Sequence, residues 1–267
     1  MNRYKKTFIK LKKKEEKALI PFVVAGDPNY KISLEILKTI IRSGADILEI
    51  GFVFSEPIAD GSTIQTAGIR ALKAGVNTDK NFNFIKEIRK FNDEIPIGIL
   101  IYANLIYRRG IEKFYRDAAA AGIDSVLVAD LPIEEADDYI KAARKTGINT
   151  VFIGSPLTSN ERLKKIIKKV RGFVYIVSRL GVTGAKQDLQ EGTLRLIKRI
   201  RPQTKLPLCV GFGISKPEHV KYVCEAGADG AIVGSSIVQI IEKNLKNKKI
   251  MLNKIKAYIT QMKEATR

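Results

Sequence analysis

Two carboxylates in the first quarter of the chain have the types and the spacing that acid–base chemistry requires. Glu49 lies in the apolar run 47–51, and a glutamate so placed is expected to be desolvated, which raises its pKa towards neutral pH. The alternative is a glutamate paired with a structural lysine or arginine. Asp60 follows in the segment 60–62, whose Asp-Gly-Ser sequence is by itself typical of a turn and helix cap. Together, Glu49 and Asp60 predict an acid–base pair.

Glycine-rich segments follow two later apolar runs directly. They are residues 211–215, Gly-Phe-Gly-Ile-Ser, and residues 234–236, Gly-Ser-Ser. Backbone N–H groups reach an anion only where no side chain intervenes, so glycine suits a phosphate cradle, above all at a helix start. Residues 179–185 contain two more glycines that could fold over the site as a lid. The pattern favours phosphate binding, and the alternative is tight turns that only connect elements.

No motif in the sequence indicates a metal site. His219 is the only histidine, which excludes a histidine-rich zinc site, and its place at a helix start favours a surface or capping role. Cys209 and Cys224 form no Cys-x-x-Cys pair and are expected to be reduced thiols. The P-loop sequence and the dinucleotide-binding glycine pattern are both absent.

The elements that must position these residues recur eight times along the chain. Short apolar runs without polar alternation are typical of parallel strands buried on both faces, and amphipathic stretches separate them. The predicted strands are Ala18–Val24, Asp46–Ile50, Pro96–Tyr102, Asp124–Val128, Thr150–Ile153, Gly172–Val177, Leu206–Val210 and Gly230–Val233. This order predicts an α/β fold, a (β/α)8 TIM barrel, with a doubly wound open sheet as the alternative. In a barrel, the residues that follow the strands form the site.

Residues 1–267 are expected to form one barrel domain, with 1–17 and 243–267 as peripheral helical extensions. Ile250, Leu252, Ile255, Ile259 and Met262 are predicted to form the apolar side of the last helix.

The net charge of +19 is concentrated at the two ends, where residues 1–17 and 242–267 carry +6 each. Without a zinc-finger or RNP pattern and without tryptophan, this charge does not predict nucleic-acid binding. The apolar runs are too short to cross a membrane and no secretory signal is evident, so a cytoplasmic protein is expected.

The chain resembles the tryptophan synthase α-subunit family over about residues 4–242. The resemblance rests on motifs that are specific in combination. They are residues 20–22 (Ile-Pro-Phe), 25–28 (Ala-Gly-Asp-Pro), 48–51 (Leu-Glu-Ile-Gly) with 54–55, 59–61 (Ala-Asp-Gly), 63–65 (Thr-Ile-Gln), 130–132 (Asp-Leu-Pro), 178 with 181–184 (Gly-Val-Thr-Gly), 211–215 and 233–235.

This resemblance implies retro-aldol cleavage of indole-3-glycerol phosphate to indole and glyceraldehyde 3-phosphate. Glu49 matches the general acid–base, Asp60 the carboxylate that holds the indole N–H, and Tyr175 a tyrosine beside the glutamate. Thr183 matches a lid threonine that contacts Asp60. The residues that match the indole pocket are Phe22, Leu100, Tyr102, Leu127, Ala129, Ile153, Thr183 and Phe212. Those that match the phosphate cradle are Gly184, Gly213, Gly234 and Ser235.

The resemblance also implies a partner, the tryptophan synthase β subunit, in an α2β2 assembly. No lysine motif for pyridoxal phosphate is recognisable, so no cofactor is expected in this chain. Pyridoxal phosphate is expected in the partner, the β subunit. Val53, Glu56 and Ser62 depart from the family pattern, on a segment that in the family carries the Asp60 equivalent and faces the β subunit. Two alternatives therefore stay open: a stand-alone lyase that needs no partner, and a non-catalytic phosphate-binding barrel.

Overall fold

A computed structural model describes residues 2–177, 186–211 and 213–267, without the side chains of 186–191. Its strands fall on the predicted apolar runs, and the fifth run is divided in two. They are β1 Ala18–Val24, β2 Leu48–Gly51, β3 Ile97–Ile101, β4 Ser125–Val128, β5 Asn149–Val151, β6 Ile153–Gly154, β7 Val174–Val177, β8 Leu208–Gly211 and β9 Gly230–Val233.

Twelve α-helices occupy the described residues between and around these strands. They are α1 Arg3–Lys13, α2 Tyr30–Arg42, α3 Ser62–Lys73, α4 Thr78–Phe91, α5 Ala103–Arg109, α6 Ile111–Ala121, α7 Asp137–Thr146, α8 Asn160–Lys169, α9 Lys186–Ile200, α10 Pro217–Glu225, α11 Ser235–Lys243 and α12 Lys248–Glu264. Two of them, α3 and α5, were not predicted from the sequence. Much of the long segment between β2 and α4 is therefore helical.

The strands form one parallel sheet in the order β5-β4-β3-β2-β1-β9-β8-β7-β6. Its two ends, β5 and β6, are separated along the chain by Phe152 alone. The Tyr175 N–H on β7 donates to the Phe152 carbonyl at 3.3 Å, so the sheet closes on itself at this point. The predicted (β/α)8 barrel is confirmed, and the open-sheet alternative is wrong.

Alternation along each strand divides the apolar core into two parts. Residues on one face point into the barrel, among them Ile20 and Phe22 of β1, Tyr175 of β7 and Cys209 of β8. Residues on the other face, such as Leu48 of β2, pack against the surrounding helices. The inner core supports the site, because Glu49 lies on the inward face of β2 opposite Phe22.

Both ends of the chain contribute to this core. Tyr4 of α1 is 1% exposed, packs among the interior residues and shares a 2.8 Å hydrogen bond with the Ser125 hydroxyl. The helix α12 packs against α2 and α10, with a buried side that comprises Met251, Ile255, Ile259, Met262 and Lys263. The prediction that Ile250 belongs to this side is wrong, since it is 45% exposed.

Three aspartates tie neighbouring strands together at the end of the barrel where the strands begin. Each comes two residues after a left-handed helix-terminal glycine. Each carboxylate accepts the N–H of a residue at the start of an adjacent strand, and its own N–H donates to that residue's carbonyl. The pairs are Asp46 with Leu19, Asp124 with Ile97, and Asp229 with Leu208. This end of the barrel is therefore built for stability, and the opposite end is left for chemistry.

Within the described ranges, no helix has the length and apolar character that a membrane span requires.

Candidate active site

Glu49 lies near the carboxyl end of β2 with its side chain inside the barrel. It is 5% exposed, and neither a hydrogen bond nor an ion pair joins its carboxyl group to any residue that the structure describes. Desolvation is the cause that raises the pKa of Glu49 from 4.5 to about 8. The alternative of a structural lysine or arginine partner therefore finds no support among the described residues. A carboxyl group in this setting keeps its proton at neutral pH and can give it up to a substrate.

Tyr175 shares this interior with Glu49. Burial raises the pKa of the Tyr175 hydroxyl, and the nearby Glu49 charge raises it further, so the tyrosine stays protonated. A Cβ atom at Gly211 of β8 would lie only 2.3 Å from the Tyr175 hydroxyl oxygen. Glycine at 211 thus makes room for the tyrosine beside the glutamate.

Asp60 stands at the mouth of the barrel, in the turn that leads into α3. Its backbone is held from both sides, because its N–H donates to the Pro57 carbonyl at 3.0 Å and its carbonyl accepts the Gln65 side-chain amide at 2.8 Å. Partial burial raises the pKa of Asp60 to about 6, against an opposing effect of the Tyr102 hydroxyl. Asp60 is therefore largely ionised at pH 7.

Tyr102, predicted as an apolar wall of the pocket, contributes its hydroxyl group as well as its ring. The hydroxyl accepts the Ala59 N–H at 3.1 Å and lies against the Asp60 carboxylate. The ring packs at 5.4 Å from that of Phe54, a residue of the same segment. Tyr102 thus fixes the segment that carries Asp60. The sequence signal for this role was weak, because the interaction joins residues 43 positions apart.

A cavity at the mouth joins Asp60 to the apolar part of the site. Two of the predicted pocket residues line it, Phe22 and Leu100. The lining residues that sequence reasoning did not assign to the pocket are Val24, Gly51, Phe52, Val53, Phe54, Pro57, Ile64, Gln65 and Gly68. Most of these belong to the stretch 51–68, whose apolar residues around Asp60 were the available signal.

The other predicted pocket residues lie nearby in the interior or outside the described ranges. Leu127 is buried in the inner core, while Ala129 and Ile153 are partly buried and pack against it. Thr183, Gly184 and Phe212 lie outside the described residues.

The predicted phosphate cradle stands at the starts of two helices. Ser235 is the exposed first residue of α11, and Gly234 precedes it with Phe22 so close that a Cβ would lie 3.1 Å from the ring. Gly213 has a φ of 78°, and its carbonyl contacts the His219 Nδ1 at 3.1 Å. The N-terminus of α11 carries no side-chain cap, so its first N–H groups are available to an anion. His219 holds the Gly213 turn in place, which is the capping role expected of it.

No cluster of histidine, cysteine or acidic side chains in the described part of the chain could hold a metal ion. What the arrangement offers is two carboxyl groups with different pKa values, about 8 for Glu49 and about 6 for Asp60. Near pH 7 Glu49 is a proton donor and Asp60 a negative charge. Asp60 lines the apolar cavity, and Glu49 lies inside the barrel opposite Phe22, another residue of its lining.

Known proteins match this chain over nearly its whole length. The family model described as tryptophan synthase alpha chain matches residues 8–267. The tryptophan synthase alpha chain of Methanothermobacter thermautotrophicus is 51% identical, over 93% of this chain and 92% of that protein. Among solved structures, tryptophan synthase subunit alpha from Legionella pneumophila superposes with a TM-score of 0.91 at 36% identity, covering 100% of this chain and 98% of that one. A chain of the Pyrococcus furiosus tryptophan synthase a2b2 complex gives 0.85 at 38% identity, covering 92% and 98%. On these matches, the chain belongs to the tryptophan synthase alpha chain family.

Proposed function

We propose that this chain catalyses the retro-aldol cleavage of indole-3-glycerol phosphate to indole and glyceraldehyde 3-phosphate. One observation carries the proposal: Asp60 and Phe22 line the same apolar cavity, and Glu49 lies inside the barrel opposite Phe22. Glu49 is protonated there and Asp60 is ionised. The breaking bond joins indole C3 to a side-chain carbon that bears a hydroxyl group. Cleavage therefore needs a proton for C3 and a base for that hydroxyl.

Glu49 supplies both functions in turn. Its protonated carboxyl group donates to C3, which makes the ring a cation that can accept the electrons of the breaking bond. The resulting carboxylate then takes the hydroxyl proton, the carbon–carbon bond breaks, and the freed carbon becomes an aldehyde. The ring regains its aromaticity as neutral indole, and Glu49 ends the cycle protonated as it began. Tyr175 lies beside the carboxyl group and completes the wall of the site.

Asp60 stabilises the charge that this proton transfer creates. Once C3 is protonated, positive charge spreads to the ring nitrogen, and a carboxylate that accepts its N–H lowers the energy of the cation. The Tyr102 hydroxyl and the α3 start hold Asp60 at the mouth for this purpose. Phe22 and Leu100 provide the apolar surface against which the ring lies. Leu127, Ala129 and Ile153 extend this surface deeper into the barrel.

Phosphate binding anchors the other end of the substrate. We assign it to Gly234 and Ser235 at the uncapped start of α11, with Gly213 on the adjoining turn. Anchoring there allows binding energy from the phosphate to position C3 over Glu49.

Exposed apolar side chains that suit a partner subunit follow three of the strands at the same end of the barrel. Ile58 after β2, Tyr107 in α5 and Leu157 after β6 are exposed large apolar side chains that follow the carboxyl ends of strands. We propose that the tryptophan synthase β subunit docks here and that pyridoxal phosphate belongs to that subunit. Val53 and Glu56, which depart from the family pattern, belong to the same segment after β2 as Ile58, with Val53 in the cavity wall and Glu56 exposed.

The test is indole release from indole-3-glycerol phosphate by the purified chain, with and without a β subunit. We expect slow release that rises sharply with the β subunit, and loss of turnover in Glu49→Gln with or without it. A fast rate indifferent to the β subunit would indicate a stand-alone lyase. Substrate binding without any release of indole would leave the non-catalytic phosphate-binding barrel and would refute the proposal.

A further inference from the structure

Two helices that lie outside the regular strand–helix repeat begin at the two ends of the candidate site. The helix α3 starts at Ser62, two residues after Asp60, and α11 starts at Ser235 in the phosphate cradle. Each is followed by a second helix before the next strand or the chain end, α4 after α3 and α12 after α11. The two helices α3 and α11 pack against each other and against β1. A displacement of one helix therefore changes the packing of the other.

Arg70 is the charged link between these helices. Its side chain leaves α3 and forms a two-pronged ion pair with Asp27, with Nε at 2.7 Å from Oδ1 and Nη2 at 2.9 Å from Oδ2. A third nitrogen, Nη1, donates to Oε1 of Glu242 near the end of α11 at 3.3 Å. The planar guanidinium fixes both the distance and the angle of the Asp27 pair. One side chain thus joins α3, α11 and the segment that follows β1.

Asp27 makes this link stiff. Its carboxylate is 1% exposed, and the Arg70 side chain is 17% exposed, so the pair is shielded from solvent. The preceding residue, Gly26, has a φ of 77°, and its N–H donates to the Ser33 hydroxyl at 3.0 Å, which fixes the turn. Displacing Arg70 would leave the Asp27 carboxylate buried and uncompensated, at a high energetic cost.

An apolar contact provides a second connection beside the ion pair. The Phe22 ring lies so close to Gly51 and Gly234 that a Cβ at either position would stand 2.8 Å or 3.1 Å from it. The strand end that carries Glu49 and the phosphate cradle therefore share one side chain. Two connections therefore join the phosphate end of the site to the carboxylate end. One is the apolar contact of Phe22 and the other is the set of ion pairs of Arg70.

We propose that Arg70 is a positioning residue that couples phosphate occupancy at the start of α11 to the placement of Asp60 at the start of α3. An anion that draws in the N-terminus of α11 settles the helix against α3. Arg70, which Asp27 holds in place, transmits this from Glu242 of α11 to the Asp60 turn at the start of α3. The phosphate of the substrate thereby prepares the carboxylate that receives the indole ring. This inference rests on the proposed function, since it assigns Asp60 to the indole end and α11 to the phosphate end.

The test measures the coupling between two simple probes, indole and inorganic phosphate. Because the chain contains no tryptophan, indole binding can be followed by indole fluorescence without a background from protein indole groups. The dissociation constant of indole is measured without phosphate and at saturating phosphate, and the ratio is the coupling factor. We expect phosphate to tighten indole binding at least about fivefold in the unaltered protein, within the usual range for coupled sites.

Arg70→Met removes the ion pairs while keeping much of the aliphatic stem. We expect its coupling factor to fall to within about twofold of unity, while phosphate bound alone keeps most of its affinity. Arg70→Lys, which keeps the charge without the planar fork, should fall between the two. Lys73→Met is the matched control, because Lys73 is exposed on the same helix and makes no ion pair with a described residue. It should keep the full coupling factor.

A structural role alone would lower the melting temperature of Arg70→Met and leave the coupling factor unchanged, which would overturn the inference. Absence of coupling in the unaltered protein would overturn it too. Neither the coupling factor nor the melting temperature requires the chain to turn over a substrate. If coupling is present and no indole is released from indole-3-glycerol phosphate, the proposed function fails while the link between the two sites stands.

Discussion

Replacing Glu49 with glutamine should stabilise the folded chain at alkaline pH. Glutamine has the shape of the protonated glutamic acid and never ionises, so the variant removes only the cost of burying a charge. In the folded protein, burial raises the pKa of Glu49 from 4.5 to about 8. Between these values the folded state holds a proton that the unfolded state has released. Stability is therefore lost as pH rises through this window.

The size of the effect follows from the two pKa values. Moving the pKa from 4.5 to about 8 corresponds to about 5 kcal/mol between the fully protonated and fully ionised limits. Relative to the variant, the wild-type chain should lose about 1 kcal/mol by pH 5 and about 5 kcal/mol by pH 9.

The assay is urea denaturation of both proteins in parallel from pH 5 to pH 9. Other groups titrate over this range, but they are common to both proteins, so the difference between the two isolates Glu49. Glu94→Gln serves as the control, because it makes the same chemical change at an exposed glutamate outside the barrel interior. If the Glu49→Gln difference is independent of pH, Glu49 is not held protonated by burial, and the proposed proton donor is lost with it.

Two further exchanges test the supports of the site and of the barrel. Tyr102→Phe removes the hydroxyl that lowers the pKa of Asp60, so the acidic limb of the activity profile should move to higher pH; an unmoved limb would show that the hydroxyl does not act on Asp60. Asp124→Ala leaves the partly buried Arg89 without its 2.5 Å ion pair and should cost about 3–5 kcal/mol of stability. Asp138→Ala, which breaks only an exposed pair with Lys141, should cost about 0.5 kcal/mol or less, and equal losses in urea denaturation would contradict the role given to Asp124.

The barrel could be predicted from the sequence because its strands are buried on both faces. Such strands appear as uninterrupted apolar runs, and the glycine and aspartate that punctuate three of them have physical roles at fixed positions. The helix α3 was missed because its apolar residues do not mark one face. Ala67 and Ala71 are buried, whereas Ile69 is exposed on the same helix. Burial there is decided by packing against α11, which the local sequence does not contain.

The two carboxylates and the burial of Glu49 were predictable for a similar reason, and the contacts that hold Asp60 were not. A glutamate flanked by isoleucine and leucine at a strand end has few places to lie except the barrel interior. The hydroxyl of Tyr102, by contrast, acts on Asp60 because the end of β3 meets the segment after β2 in space. Which face of α12 is buried could not be predicted from the sequence either. Ile250 is exposed, and Met251, one position along, is buried. Distances of this kind are set by the closed barrel, and spacing along the chain does not reveal them.

The most direct test of the account is the pH dependence of kcat/KM for indole release from indole-3-glycerol phosphate. The reaction requires Asp60 ionised and Glu49 protonated, with pKa values of about 6 and about 8. The account predicts a bell-shaped profile with limbs near these two values and a maximum near pH 7. A rate that stays constant from pH 5 to pH 9, or a Glu49→Gln variant that retains turnover, would contradict it.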